Sequence, residues 1–143
     1  MLHRIALCAL SLTAAVAAQF TCSASTFATG CGPVMSMSFS PQGNGGSQSF
    51  DITCVGLQPN VIGVMAWGVQ PLGIDLGGGC QLHVDYLWGH TFQTGPTGDF
   101  AWSRSWPTGA MPNTYLIQFG SVEFRPDGSL GLRASNAVRA QCL

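Results

Sequence analysis

Apolar and polar residues alternate along most of the chain, and the alternation is clearest after the three glycines at 77–79. The apolar positions of this run share one parity: Cys80, Leu82, Val84, Tyr86 and Trp88. The residues between them are polar: Gln81, His83 and Asp85, before Leu87. Because successive side chains of a strand point to opposite faces of a sheet, the run predicts one strand over residues 80–88 with its apolar face in a core.

The same period of two predicts strands in much of the remaining chain. They cover residues 35–39, 50–54, 61–67, 100–106, 115–124 with a bend at Gly120, and 130–134. Residues 71–79 are predicted to be a glycine-rich connection, and residues 134–140 a single helical turn. Seven or eight short strands separated by turns predict an all-β fold, an antiparallel β-sandwich of which a jelly-roll-like order is one form. A closed barrel is the alternative.

The first 18 residues have the pattern of a secretory signal peptide. Arg4 supplies a positive charge, an apolar run of about 14 residues follows, and small residues precede a cleavage site after Ala18. This run is too short to cross a bilayer, which takes about 20 residues. We therefore expect residues 1–18 to be removed and residues 19–143 to form a single domain, secreted or held at the cell surface. No other apolar run predicts a membrane span.

Charged residues make up only 8% of the chain, and lysine does not occur in it. After residue 18, four arginines stand against six acidic residues, which leaves a net charge of −2. A chain without a basic patch cannot neutralise phosphates, so nucleic acid and anionic membranes are not expected as partners. The solvated faces of the strands must be built from uncharged polar residues and glycine.

Five cysteines follow the signal peptide: Cys22, Cys31, Cys54, Cys80 and Cys142. In an exported chain they predict a disulfide framework, and the lack of a CxxC pair argues against a zinc site. Two bridges and one free thiol can be arranged in fifteen ways, and spacing alone does not choose among them. Cys54 shares its parity with Phe50 and Ile52, so it is our candidate for a buried free thiol. As a working hypothesis, Cys31 pairs with Cys80 and Cys22 with Cys142.

Four short motifs occur in an order that resembles a known group of proteins. They are Thr29-Gly30-Cys31-Gly32, Gly79-Cys80-Gln81-Leu82, Tyr115-Leu116-Ile117-Gln118 and Ser135-Asn136-Ala137-Val138. Over about residues 26–140 the chain resembles uncharacterised secreted β-domain proteins of environmental, planctomycete-like bacteria, a family of unknown function. The resemblance implies export, a β-sandwich and a link between the two Gly-Cys elements. It supplies no catalytic residues.

Three residues would form a metal or catalytic site if the fold brought them together: His83, Asp85 and His90. Two imidazoles and a carboxylate suit a transition metal. However, His83 and His90 have opposite parity, so a straight strand would separate them. The sequence contains no Gly-x-Ser-x-Gly elbow, and its glycine triplet precedes a predicted strand rather than a helix. We therefore assign no catalytic, metal-binding or cofactor-binding residue and expect no cofactor.

Residues 100–106 have an unusual composition, because one face carries three aromatic rings and an arginine. If this face lies in the core, Arg104 must be paired or lie at the margin of the core. If it is exposed, Trp102, Arg104 and Trp106 form a flat ligand platform for a sugar ring or a protein partner. The sequence leaves both interpretations open.

Export, disulfides, low charge and the lack of a catalytic motif favour a non-enzymatic extracellular module with a binding or structural role. Its partner would be a glycan or a protein at the cell surface. The alternative is a secreted polysaccharide-active hydrolase or its carbohydrate-binding accessory domain. A third hypothesis is a surface protein that assembles through uncharged strand edges. The sequence leaves the oligomeric state open.

Overall fold

The computed structural model describes residues 21–40, 47–107 and 114–143. The strands in these ranges number eleven, more than the seven or eight predicted. Their bounds are β1 Cys22–Ala28, β2 Val34–Phe39, β3 Ser47–Val55, β4 Ile62–Gly68, β5 Pro71–Gly77, β6 Cys80–Val84, β7 Trp88–Gln93, β8 Phe100–Pro107, β9 Thr114–Phe124, β10 Leu130–Ala134 and β11 Ala137–Cys142. The predicted signal peptide, residues 1–18, lies outside the described residues. Among those residues, none belongs to a helix long and apolar enough to cross a membrane.

The strands form an antiparallel β-sandwich, as the alternation predicts. The larger sheet has the order β1-β11-β9-β4-β7, and β10 pairs with the second half of β9, along the same edge as β11. The smaller sheet has the order β2-β3-β8, and β5 pairs with β6 in a separate hairpin. Within the described ranges both sheets keep free edges and do not close into a barrel.

The main core lies between the inner faces of the two sheets and is built from the apolar positions of the alternation. Four strands contribute most of its large buried side chains, among them Met35, Phe50, Ile52, Cys54, Met65, Trp67, Ile117 and Phe119. On β3 the intervening Asp51 and Thr53 are exposed, as period two requires. Each fully buried large apolar side chain stabilises the fold by about 1.5–3 kcal/mol relative to an exposed one.

The β5–β6 hairpin covers part of the outer face of the larger sheet. Val84 packs there against Leu116 in a second, smaller core. The fully buried amide of Gln118 joins the two layers. Its Oε1 accepts a hydrogen bond from His83 N at 2.7 Å, and its Nε2 donates to the Gln81 carbonyl at 3.0 Å. These bonds place β6 over the centre of β9.

Two segments that were predicted to lie outside strands are strands. Residues 71–79 contain β5, and the glycines at 77–79 adopt φ values of 82°, 63° and 80°, which allow a tight turn into β6. Residues 134–140, predicted as a helical turn, contain most of β11. This strand pairs with β1 on one edge and β9 on the other. Backbone pairing on both edges and burial of Val138 and Ala140 outweigh the helix propensity of its alanines.

The prediction of a single strand over residues 80–88 is wrong beyond Val84. Cys80 and Val84 are buried, as expected, but Tyr86 and Trp88 are 60% and 46% exposed. The hairpin strand β6 ends at Val84, and β7 begins at Trp88 as a strand of the larger sheet. The segment therefore serves two layers of the molecule rather than one.

Asp85 is the physical reason for this break. Its Oδ1 accepts hydrogen bonds from Val69 N at 2.7 Å and from Gln70 N at 2.8 Å. Such charge-assisted bonds hold Asp85 against the connection between β4 and β5. Two residues later, Leu87 N donates to the Trp67 carbonyl at 3.0 Å. The chain is thereby directed from the hairpin to the free edge of β4.

Two disulfides fasten the sandwich, and they have the pairing of the working hypothesis. Cys22–Cys142 joins β1 to β11 at directly opposite positions. Cys31–Cys80 joins the segment after β1 to the first residue of β6 and thereby ties the hairpin down. Two disulfides are compatible with an extracellular protein. Cys54 is free and buried, and burial raises the pKa of its thiol to about 12, so the thiol stays protonated and poorly reactive at neutral pH.

Candidate functional site

The open side of the sandwich between β7 and β8 gathers most of the aromatic residues. β7 is the last strand of the larger sheet, and β8 is the last strand of the smaller one. His90 stacks on Trp102 across this opening, with ring centroids 5.5 Å apart. We call the following five residues the aromatic edge: Trp88, His90, Trp102, Arg104 and Trp106.

Trp67 of β4 lies beneath the aromatic edge and connects its members. Its ring centroid is 5.2 Å from that of Trp88, 5.9 Å from that of Trp102 and 5.8 Å from that of Trp106. All four tryptophans of the chain therefore form one cluster. Tyr115 of β9 also stacks on Trp67, at 5.4 Å. The register explains the arrangement, since Trp67 is paired directly with Trp88 across the β4–β7 ladder.

Trp102 and Trp106 are half-buried, which combines the two interpretations of residues 100–106. Both rings meet Phe50 edge-on, with centroids 5.7 Å and 5.2 Å away. Trp102 is further covered by the stacked ring of His90 and by Arg104, whose guanidinium lies 5.4 Å from the ring centroid. Arg104 itself is exposed, at the margin of the core. The aromatic face of residues 100–106 therefore lies at the rim of the core and is not a bare flat platform.

Trp88 is the most exposed tryptophan of the cluster and the one that sequence reasoning missed. The alternation over residues 80–88 assigned it to the core face of a longer strand. A second signal was present, because Trp88, His90 and Phe92 alternate with small residues and so define a strand of their own. The half-exposed indole of Trp88 is the surface of the cluster that a ligand reaches most easily.

The structure does not bring His83, Asp85 and His90 into one site. His83 lies on β6, in the hairpin. Asp85 accepts its hydrogen bonds from two backbone N–H groups in the connection after β4. His90 lies on β7 and stacks on Trp102. In the part of the chain that the structure describes, no group of three or more histidine, cysteine, aspartate or glutamate residues is placed to hold a metal ion.

The acidic side chains all accept hydrogen bonds from nearby groups in turns or strand pairs. In each pair the carboxylate accepts and the second residue donates: Asp51 and Ser103, Asp75 and Gly77, Asp85 and both Val69 and Gln70, Asp99 and Thr97, Glu123 and both Ser121 and Gln58, and Asp127 and Ser129. A glycosidase needs two opposed carboxylates that face the same substrate. Four of the six carboxylates accept from backbone N–H groups, and those of Asp51 and Asp99 accept from side-chain hydroxyl groups.

Comparison with known proteins leaves the site to be interpreted from its own geometry. No family model, no curated protein and no solved structure matches the chain. The resemblance to secreted β-domain proteins therefore stays a prediction from short motifs.

Proposed function

We propose that the protein is an exported, non-enzymatic module that binds a carbohydrate at the aromatic edge. The observation that carries this proposal is the half-exposed ring of Trp88, which is held against Trp67 at the open side of the sandwich. A fixed indole offers a flat apolar face to the C–H side of a sugar ring, and little side-chain entropy is lost on binding because the ring is already ordered. The two disulfides support export.

Polar groups at the same edge supply the directional part of sugar recognition. The guanidinium of Arg104 is exposed and offers several N–H donors to sugar hydroxyl oxygens. His90 is only partly buried and adds a second polar ring beside Trp102. Binding sites of this kind combine an apolar surface with a few polar groups that fix the orientation of the ligand. The aromatic edge itself includes no carboxylate, which favours binding over hydrolysis.

Replacing Trp88 with alanine should weaken glycan binding at least about tenfold, or about 1.4 kcal/mol, because the stacking surface is removed. A glycan array probed with the oxidised protein identifies the ligand, and isothermal titration calorimetry then gives both affinities. Leu87→Ala is the matched control, since Leu87 is the adjacent exposed apolar residue and lies outside the cluster. The proposal fails if the unmodified protein binds no glycan, or if Trp88→Ala binds as tightly as Leu87→Ala.

A structural role through self-assembly is the second candidate, and an apolar strip on the outer face of the larger sheet favours it. We call this the outer strip: Ile62, Val64, Val122, Phe124, Leu130 and Leu132. These residues line a groove of about 570 Å³. Ile62, Phe124 and Leu130 are 68%, 64% and 60% exposed. Contiguous exposed apolar surfaces commonly mark interaction sites, and a second copy of the chain would cover this one without leaving any charge buried.

The second candidate predicts self-association that Phe124→Gln weakens, because the substitution places a polar amide in the middle of the outer strip. Sedimentation velocity over a range of protein concentrations measures the association. Leu143→Gln is the control, since Leu143 is 83% exposed and lies outside the strip. A protein that sediments as a monomer at every concentration contradicts this candidate and leaves the glycan proposal untouched.

A further inference from the structure

A second concave site lies at the opposite end of β9 from the aromatic edge. Glu123 is eight residues beyond Tyr115 on β9, or about 26 Å at the rise of an extended strand. A cleft of about 490 Å³ opens there between the β9–β10 hairpin and the Cys31–Cys80 disulfide. Its polar side chains include Glu123, Arg125 and Arg133. Because this cleft is separate from the aromatic edge, a ligand bound in it is independent of the proposed glycan site.

Glycines place the two guanidinium groups of the cleft. Gly131 of β10 is paired with Glu123 of β9, so the position opposite the carboxylate carries no side chain. Arg125 occupies the free space, because a Cβ atom on Gly131 would lie only 2.5 Å from Arg125 Nε. Arg133 lies in the same way over Gly32, where a Cβ atom would collide with its guanidinium group. Both arginines are exposed to solvent on the cleft side of the hairpin.

Glu123 is nearly fully buried, and its orientation is fixed. Its Oε1 accepts hydrogen bonds from Ser121 Oγ at 3.0 Å and from Gln58 N at 3.3 Å. Gln58 is in turn anchored to the backbone of Phe124, since its Nε2 donates to the carbonyl at 2.6 Å and its Oε1 accepts from the N–H at 3.1 Å. Both described bonds to Glu123 end on Oε1, so no described hydrogen bond engages Oε2.

The remaining acidic group near the arginines is directed elsewhere. Asp127, in the hairpin turn, accepts hydrogen bonds from Ser129 Oγ at 2.7 Å and Ser129 N at 2.9 Å. These bonds, and to a smaller degree the charge of Arg125, hold the pKa of Asp127 below its ordinary value. The Asp127 carboxylate is therefore engaged by its own turn, and the guanidinium of Arg125 keeps donors for a ligand.

We propose that this cleft binds a sugar acid, with the carboxylate of a uronic acid accepting hydrogen bonds from Arg125 and Arg133 and a neighbouring hydroxyl group donating a hydrogen bond to Glu123 Oε2. Guanidinium groups bind carboxylates through short, charge-assisted and often paired hydrogen bonds. A carboxylate such as Glu123 accepts but does not donate, so the ligand must bring a donor. An anion without one leaves Glu123 Oε2 without a donor beside its own negative charge, so it should bind more weakly than a uronic acid although two arginines face it. The cleft volume lies in the range of small-ligand sites.

Titration calorimetry of the oxidised protein tests the ligand class directly. Sodium glucuronate should bind with saturation, and glucose should bind at least about tenfold more weakly because it lacks the carboxylate. Sodium sulfate should also bind at least about tenfold more weakly, because it brings no donor for Glu123. The absence of saturable binding of glucuronate would overturn the proposal. Equal affinity for glucose would do the same, because it would show that the ligand carboxylate is not needed by the arginines. Equal affinity for sulfate would also do so, because it would show that a donor for Glu123 is not needed.

Gly131→Ala tests the placement of Arg125 without changing the charge of the protein. The new methyl group should displace the guanidinium and weaken glucuronate binding about tenfold or more. The fold should persist, because the displaced group is the end of a flexible, exposed side chain; a urea unfolding curve verifies this. Gly73→Ala is the control, since a Cβ atom on Gly73 meets no atom within 4 Å. Equal affinity in the two variants contradicts the assignment.

Glu123→Gln tests the selectivity of the cleft. The amide keeps an oxygen for the Gln58 and Ser121 hydrogen bonds but removes the negative charge. Sulfate should then bind more tightly to the Glu123→Gln protein than to the unmodified one, because the repulsion between the two negative charges has been removed. An unchanged affinity for sulfate would contradict the role given to Glu123.

Discussion

Replacing Cys22 and Cys142 together with alanine should lower the free energy of unfolding by about 4–5 kcal/mol. The two cysteines are 120 residues apart, against 49 for Cys31 and Cys80, and the entropy that a cross-link removes from the unfolded chain grows with the length of the loop. The bridge also secures β1, an edge strand that pairs with β11 alone among the described strands.

Urea unfolding followed by tryptophan fluorescence measures this loss, because all four tryptophans lie in or beside the main core. Cys54→Ala is the control, since it removes a buried sulfur but no cross-link and should cost only about 1–2 kcal/mol. A double variant no less stable than Cys54→Ala would show that backbone pairing of β1 with β11 is sufficient without the bridge.

The expected loss of unfolding free energy is large enough to bear on the compartment in which the protein can stay folded. A domain of this length is stable by about 5–15 kcal/mol, so each disulfide supplies a large share of the total. The 19 glycines also raise the conformational entropy of the unfolded chain, which a cross-link reduces. We therefore expect the protein to need oxidising surroundings to stay folded, which agrees with the predicted export.

The sequence was sufficient to predict the fold class, because period-two alternation is a local property of each strand. The parity of Phe50, Ile52 and Cys54 identified the inner face of β3 directly, and the same reasoning placed Cys54 in the core. Inner and outer faces follow from the backbone geometry of a strand and need no knowledge of its neighbours. The sandwich class could be reached in this way without any contact being known.

The layer to which each segment belongs could not be predicted, because it depends on partners distant in sequence. The break after Val84 follows from bonds between Asp85 and backbone N–H groups at 69 and 70. Nothing within residues 80–88 signals those bonds. The assignment of residues 134–140 failed for a related reason. Alanine favours a helix locally, but backbone pairing with two neighbouring strands favours a strand here.

In the candidate site, too, the local pattern could be predicted and the contacts between distant segments could not. The shared face of Trp102, Arg104 and Trp106 could be predicted from parity. The stacking of His90 on Trp102 and the position of Trp67 beneath both could not, since these contacts cross from one sheet to the other. The cleft was missed entirely, because its arginines are placed by glycines on another strand or loop.

Replacing Trp67 with alanine should lower the free energy of unfolding by about 3–5 kcal/mol and also weaken binding at the aromatic edge. The side chain is only 5% exposed. Its ring centroid lies 5.2–6.0 Å from those of five other aromatic residues: Phe50, Trp88, Trp102, Trp106 and Tyr115. Truncation leaves a cavity between the sheets and removes the surface that holds Trp88, so urea unfolding and calorimetric titration of the glycan should both change.

Two polar atoms in this cluster allow the packing contribution to be measured separately. Trp67 Nε1 and Tyr115 Oη are buried and have no hydrogen-bond partner among the described residues. Burial of an unpartnered polar group costs about 1–3 kcal/mol, so removing one should not destabilise the fold. Tyr115→Phe should leave the free energy of unfolding unchanged or raise it by up to about 1 kcal/mol, and Trp67→Phe should cost less than about 2 kcal/mol. A large loss of stability in Tyr115→Phe would mean that the hydroxyl is in use. If stability is kept in Tyr115→Phe and lost in Trp67→Ala, the rings themselves, rather than their polar atoms, hold the aromatic edge in place.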